Sequence, residues 1–277
     1  MANNISFIAM ATHFLDRGTG RLAYDLRGDG PLVVCVPGMG ELRSAYRFTV
    51  PALAAAGHRV ATLDLRGHGE SDDGFDAFDD AALADDILAL VEHLGGPALV
   101  LGNSMAAGSA VMAAAEAPGS IAGLALLAPF VRNPPGGAAM SAVMRALLLK
   151  PWGPAVWKAY YRGLFPGRRP ADFAEHSAEM AASFRRGAHW RSFQRTAQTS
   201  HAPAEARLEQ VSCPVLVVMG ERDRDWKDAA AEGRFVADAL RGDLLLVPDS
   251  GHYPMSDSPE AVNPRLVAFA EQVFARA

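Results

Sequence analysis

The sequence predicts an α/β fold: a mostly parallel, eight-stranded sheet with helices on both faces and a helical cap inserted after the sixth strand. Three observations carry this. Short apolar runs bounded by turn residues alternate with stretches of helical period, the rhythm of βα units whose strands are buried on both faces. One run, Ala98 to Leu101, ends in Gly102-Asn103-Ser104 and passes at once into the small-residue stretch Ala106 to Ala115, which puts a serine on a strand-to-helix turn. The rhythm then stops between Phe130 and about Arg207, where the charge balance also reverses. This segment holds 12 Lys/Arg against 4 Asp/Glu, a net +8, while the rest of the chain carries −13.

In chain order, His13–Leu15 and Leu22–Leu26 flank Gly18 and Gly20 and suit a hairpin. Leu32 to Val36 is wholly apolar and stops at Pro37-Gly38-Met39-Gly40. Ser44 to Ala56 reads as helical, with Pro51 forcing a kink or restart and Gly57 ending it. His58 to Leu65 is the next strand and runs into Asp64-Leu65-Arg66-Gly67-His68-Gly69-Glu70-Ser71. Asp79 or Asp80 caps a helix whose apolar face is Leu83, Ile87, Leu90, Val91 and Leu94. After the serine turn come the strand Ile121–Leu127 and then the irregular segment. It contains three of the four tryptophans, Trp152, Trp157 and Trp190, with Met140, Met144, Tyr160, Tyr161, Phe165, Phe173, Phe184 and Phe193. Most of these form the segment's own small core and a few line a cleft; its arginines, such as Arg185, Arg186 and Arg191, make a solvated face. Pro214 to Met219 returns to strand, Asp228 caps a helix over Ala229–Leu240, and Leu244 to Val247 is the last strand. Asn263 is expected to cap the final helix, with Pro264 at its first position. The expected organisation is a core made of 1–129 and 208–277 around a cap of 130–207.

Composition excludes several classes. Half of the 277 residues are hydrophobic, enough for a large core and against disorder. A net charge of −5 gives no basic surface for nucleic acid. Two cysteines, Cys35 and Cys213, sit beside apolar runs and read as buried, inert thiols rather than a disulfide framework. With neither a secretory start nor a membrane-length apolar run, the expected setting is the cytoplasm, with no membrane partner. No H-E-x-x-H and no clustered Cys/His spacing points to a metal, and no motif points to a cofactor. The partner is a small-molecule substrate; the oligomeric state is not legible.

Three separate strand ends offer a serine, an aspartate and a histidine in that order. Gly102-Asn103-Ser104-Met105-Ala106 resembles the G-x-S-x-G nucleophile elbow of the α/β-hydrolase family, with Ala106 in place of the second glycine. Small residues flank such a serine because the turn is tight. The octapeptide from Asp64 to Ser71 is similar to that family's D-x-R-G-H-G-x-S turn, and the resemblance extends from about Leu22 to Phe274. It implies a Ser-His-Asp triad of Ser104, His252 and Asp223, with Asp225 as alternative acid two residues further in the same loop. A serine holds its proton too tightly to attack at neutral pH, so His252, in what reads as a flexible Gly-His turn, takes it. The aspartate fixes the imidazole tautomer. His68 is a rival base, though a turn histidine bonding locally is the plainer reading. By position the oxyanion hole is the N–H of Met105 and of Met39, the family's histidine before this loop being Pro37 here; whether Gly38 or Gly40 shares the role is open. The elbow serine is expected to be a surface hydroxyl. The implied activity is a carboxylesterase-like serine hydrolase on a small, largely apolar ester-like substrate. The alternatives are a non-catalytic ligand-binding protein of the same fold, or a same-triad perhydrolase, lactonase or carbon–carbon bond hydrolase. A serine at the elbow disfavours dehalogenase or epoxide-hydrolase chemistry, for which the family uses aspartate.

Overall fold

A computed structural model describes residues 11–134 and 137–276, apart from the side chains of 137–141. The segment 1–10, read above for a targeting signal, and Met140 lie outside this description. Alternating and fully apolar runs produce eight strands: β1 (Thr12–Asp16), β2 (Arg21–Arg27), β3 (Leu32–Val36), β4 (Arg59–Leu63), β5 (Ala98–Asn103), β6 (Ile121–Leu127), β7 (Val215–Gly220) and β8 (Asp243–Val247). They form one sheet in the order β1-β2-β4-β3-β5-β6-β7-β8. The β1–β2 and β2–β4 pairs are antiparallel and all others parallel. The chain builds outward from β3 to β4 on one side and to β5 on the other. The carboxyl ends of β3 and β5, in register from Leu32–Ala98 to Val36–Gly102, therefore form the switch point where open α/β sheets hold their ligands.

The helices are α1 (Thr49–Ala55), α2 (Asp80–His93), α3 (Met105–Glu116), α4 (Gly137–Leu147), α5 (Gly153–Gly163), α6 (Phe173–Ser183), α7 (His189–Thr196), α8 (Ala202–Glu205), α9 (Ala229–Ala239), α10 (Pro254–Asp257) and α11 (Pro259–Phe274). Period-two alternation divides the strands between two cores. Val34, Val36 and Val100 pack with α2, α3 and α9. Val33, Cys35, Leu99 and Leu101 pack with α1 and α11. Among the described residues no helix is long and apolar enough to cross a membrane. Cys35 is buried, Cys213 is half-buried, and both thiols are free.

Several expectations hold in detail and a few do not. Asp79, not Asp80, caps α2 through the Ala82 N–H at 3.0 Å, and Asp228 caps α9 through Ala231 at 2.8 Å. The stretch from Ser44 breaks before Pro51 into a 3₁₀ turn, Arg43–Tyr46, and α1, so that the proline falls in the first turn. The last helix is a correction. It begins at Pro259, five residues before Pro264, which lies inside it. Asn263 is no cap; its Nδ2 donates to Phe48 O at 2.8 Å and its Oδ1 accepts from Thr49 Oγ1 at 2.9 Å, tying α11 to α1. Between β6 and β7 the described residues form α4 to α8 and no strand. Trp157, Tyr161, Phe165, Phe184, Trp190 and Phe193 are buried there and join the core on the α1–α11 side. Trp152, Leu147 and Leu149 are instead exposed.

Candidate active site

Ser104 joins β5 to α3 with φ 57° and ψ −125°, a conformation costing a non-glycine residue about 1–3 kcal/mol. The surroundings impose it. Its N–H donates to Leu127 O at 3.0 Å, and its carbonyl accepts from Ala107 N at 3.0 Å and Phe130 N at 3.1 Å. A Cβ at Gly102 would lie 2.5 Å from Ala106 O, so this position admits only glycine, whereas the methyl of Ala106 is accommodated in the core. Ser104 is no surface residue. It is 4% exposed, because the chain after β6 and the loop after β3 close over it.

The loop after β3 lies directly against the serine: a Cβ at Gly38 would come within 2.7 Å of Ser104 Cβ. Among the described residues, the N–H groups of Met39 and Met105 have no hydrogen-bond acceptor. Gly40 is different, since its N–H donates to His68 Nε2 at 3.0 Å. His68 Nδ1 faces Arg66 O at 2.9 Å. An amide can only donate and a carbonyl can only accept, so His68 is the neutral Nδ1–H tautomer, and burial lowers its pKa to about 4. It has no nitrogen left for a substrate. Glu41 is 2% exposed; its carboxylate accepts from Tyr161 OH at 2.8 Å and meets His176 Nε2 at 2.7 Å. Gly40 itself has the rings of Trp157 and Phe193 against it, with no room for a side chain.

His252 follows β8 and Asp223 follows β7. Nδ1 of His252 lies 2.7 Å from Asp223 Oδ2 and 3.5 Å from Asp225 Oδ2. The structure thus favours Asp223 as the hydrogen-bonding partner. Asp225 turns its other oxygen to Tyr160 OH of α5, and its N–H donates to Asp223 Oδ1 at 3.0 Å. Burial works against charge on His252, but Asp223 and then Asp225 outweigh it and raise its pKa to about 9. The Gly-His turn is tied down by hydrogen bonds. Asp257 accepts from Ser250 Oγ at 2.6 Å and from Gly251 N–H at 2.8 Å, and His252 N–H donates to Leu164 O at 3.0 Å.

No hydrogen bond joins Ser104 Oγ to His252 among the described residues. Two neighbours bring their loops together. Asn103 Nδ2 donates to Leu127 O at 3.0 Å and His252 O at 3.1 Å. The Phe130 ring stands edge-on to the imidazole, with centroids 5.8 Å apart. Asp223, Asp225 and His252 form the one group among the described residues whose atoms converge within 4.8 Å, as metal ligands would. Two of those atoms are the Asp223–His252 hydrogen bond itself. Arg185, Arg186 and Arg191 are exposed, as expected of a solvated face.

Sequence reasoning passed over Glu41, Asn103, Tyr160 and Asp257. The only signal for Glu41 and Asp257 is an acidic residue in an otherwise apolar or turn-forming stretch. Tyr160 carries none, because its partner is 65 positions away.

The chain matches the model of the alpha/beta hydrolase family over residues 33–265. A Mycobacterium tuberculosis protein with the provisional name non-heme bromoperoxidase BpoC is 31% identical, over 92% of this chain and 99% of its own length. A 2-(acetamidomethylene)succinate hydrolase from Mesorhizobium japonicum is 29% identical, over 90% and 92%. Among solved structures, a bromoperoxidase from Bacillus anthracis superimposes with a TM-score of 0.81 at 18% identity, covering 95% of this chain and 100% of its own. The eight-stranded sheet, its helices and the match along most of the sequence make this chain a member of the α/β hydrolase family of enzymes.

Proposed function

We propose that this enzyme is a serine hydrolase that works through Ser104, His252 and Asp223, by way of an acyl-enzyme, on a small, largely apolar ester-like substrate. The observation that carries the reading is the 2.7 Å contact between His252 Nδ1 and Asp223 Oδ2, in a loop that Asn103 ties to the strained turn of Ser104. With Nδ1–H held by the carboxylate, Nε2 of a neutral His252 is the nitrogen left to accept a proton. Ser104 Oγ attacks the substrate carbonyl carbon as its proton passes to Nε2, through a hydrogen bond that forms when substrate binds. The oxyanion is held by the N–H groups of Met105 and Met39, each worth about 3 kcal/mol to the transition state. Gly40 does not share this work, its N–H being taken by His68. Collapse expels the alcohol, which takes the proton from His252. Water repeats the cycle from the same face and releases the acid.

Helices α4 to α8, within 130–207, act as a cap between the two core parts, 1–129 and 208–277. At 4% and 3% exposure, Ser104 and His252 sit in a largely enclosed site. Buried Trp157, Phe193 and Phe130 beside the site support an apolar acyl or ring group. The buried carboxyl groups of Glu41 and Asp225, with the cap arginines outside, disfavour anionic ones. The two free thiols support a reducing, cytoplasmic setting.

A fluorophosphonate probe tests the reading: it should label Ser104, located by peptide mapping, and block hydrolysis of a chromogenic ester panel. A protein that neither labels nor hydrolyses any ester is not a serine hydrolase.

A further inference from the structure

Asp225 is the buried carboxyl group beside the His252–Asp223 pair that the proposed reaction does not use. Its side chain is 10% exposed, and its Oδ2 stands 3.5 Å from His252 Nδ1, beyond hydrogen-bond length but in direct electrostatic contact. Two hydrogen bonds fix it there, one from its own N–H to Asp223 Oδ1 and one from Tyr160 OH to its Oδ1. Tyr160 belongs to α5, so this contact crosses from the helical segment to the loop after β7.

We propose that Asp225 is a positioning residue that sets the basicity of His252, and that the Tyr160 hydroxyl keeps it ionised beside Asp223. The proposal rests on the serine-hydrolase reading for its consequence, though not for its geometry. Two carboxyl groups this close repel, and burial adds to the cost of charging the second. Burial and Asp223 together raise the Asp225 pKa, while His252, the Tyr160 hydroxyl and Arg224 oppose them. The other groups facing the imidazole are the Tyr253 ring, 5.1 Å away, and Phe130; neither carries charge. Arg224 lies over the Tyr160 ring at 5.7 Å. A charged Asp225 stabilises the imidazolium without receiving its proton. During acylation the proton goes from Ser104 Oγ to His252 Nε2, Nδ1–H stays with Asp223, and Asp225 only shifts the pH at which Nε2 is free. The tyrosine on α5 thereby links the placement of that helix to the working pH range.

The test compares wild type, Asp225→Asn and Tyr160→Phe by two readouts: the pH dependence of fluorophosphonate inactivation, and the His252 imidazole titration followed by NMR. In Asp225→Asn the acid-limb midpoint and the titration should both fall by about one pH unit, with the limiting rate at high pH kept within tenfold. Tyr160→Phe should move both in the same direction by less, because loss of the donor lets Asp225 take up a proton; it carries the test should Asp225→Asn not fold. Superimposable titrations in wild type and the variants would overturn the proposal. So would a rate loss of thousands-fold at every pH in Asp225→Asn, which would make Asp225 the triad acid. Absence of labelling in wild type would remove the serine-hydrolase reading, and the NMR titration would still decide this one.

Discussion

Asp257 Oδ2 accepts the Gly251 N–H at 2.8 Å, so the turn that presents His252 is held by a carboxylate five residues after it. The other oxygen takes Ser250 Oγ, and the group is 2% exposed. Asp257→Ala leaves two buried donors without an acceptor, at roughly 1–3 kcal/mol each. Denaturant titration should register a loss of at least about 2 kcal/mol, and turnover should fall because His252 loses its fixed height above Ser104. Unchanged stability and rate would mean that the turn holds itself.

Ser104 stores strain, and glycine relieves it. Ser104→Gly should abolish ester hydrolysis, as Ser104→Ala does, yet stabilise the fold. Against about 1–3 kcal/mol of strain stands an entropic cost of roughly 0.5–1 kcal/mol for the glycine. The expected rise in Tm is roughly 2 °C by calorimetry. Ser104→Ala, which keeps the strained φ, should not show this gain. Equal Tm values for the two variants would locate no strain at the turn.

Replacing Asp223 by asparagine keeps the shape of the contact but lets an amide N–H face Nδ1, favouring the wrong imidazole tautomer. Turnover should drop on the order of 10⁴-fold while Tm stays within a few degrees. Steady-state kinetics on one chromogenic ester measures this, and a loss under tenfold would take the orienting role away from Asp223.

His68 makes a prediction about stability and pH. Its folded pKa of about 4 lies below the ordinary 6.5, because burial opposes its charge. Between those values the unfolded chain binds a proton that the folded chain refuses, so stability rises with pH across this window and is lost as pH falls from 6.5 towards 4. Part of that slope should vanish in His68→Gln; His58 and His189, also lowered by burial, supply the rest. Urea midpoints at pH 5 and pH 7 give the comparison. His68→Ala should cost far less turnover than His252→Ala and leave the acid limb of the rate profile in place.

The exposed arginines between β6 and β7 and the buried carboxyl groups make a prediction about substrates. Along an acyl series, kcat/KM should climb with chain length, by up to about 0.8 kcal/mol for each buried methylene. It should hardly respond to salt, and a negatively charged ester should be a poor substrate. Preference for the anionic ester, abolished by salt, would mean that arginines such as Arg186 turn inward.

The strands and the serine turn were legible because their signals are local: an apolar run, a glycine at its end, small residues after it. Position in the order Ser, Asp, His pointed to His252 and to an aspartate of the loop after β7, and the fold brings these two side chains into contact. Position after the strand put Asp223 ahead of Asp225, but both lie in one loop and only the direction of the turn decides which faces Nδ1. Glu41, Asn103 and Tyr160 act on partners brought close by the fold, and no spacing encodes that, while Asp257 reaches back six and seven residues within its own turn. The start of α11 misled for a related reason. Asn263-Pro264 has the composition of a helix start, but Asn263 is used across the core by Phe48 and Thr49, while Ser258-Pro259 carries the actual beginning.

The Leu164 carbonyl that receives the His252 N–H belongs to the main chain, so the bond is indifferent to which side chain stands at 164. Gly251 meets Leu164 O and Pro166 at the same crossing. A substitution at 164 leaves this bond in place, whatever it costs the core in which Leu164 and Phe165 are buried, whereas removal or insertion of a residue between α5 and Pro166 shifts a different carbonyl, or none, into place. For the histidine, therefore, the length of this stretch counts and the side chain at 164 does not. A graft of foreign helices onto this sheet would have to match the chain count up to position 164 before any of its side chains mattered.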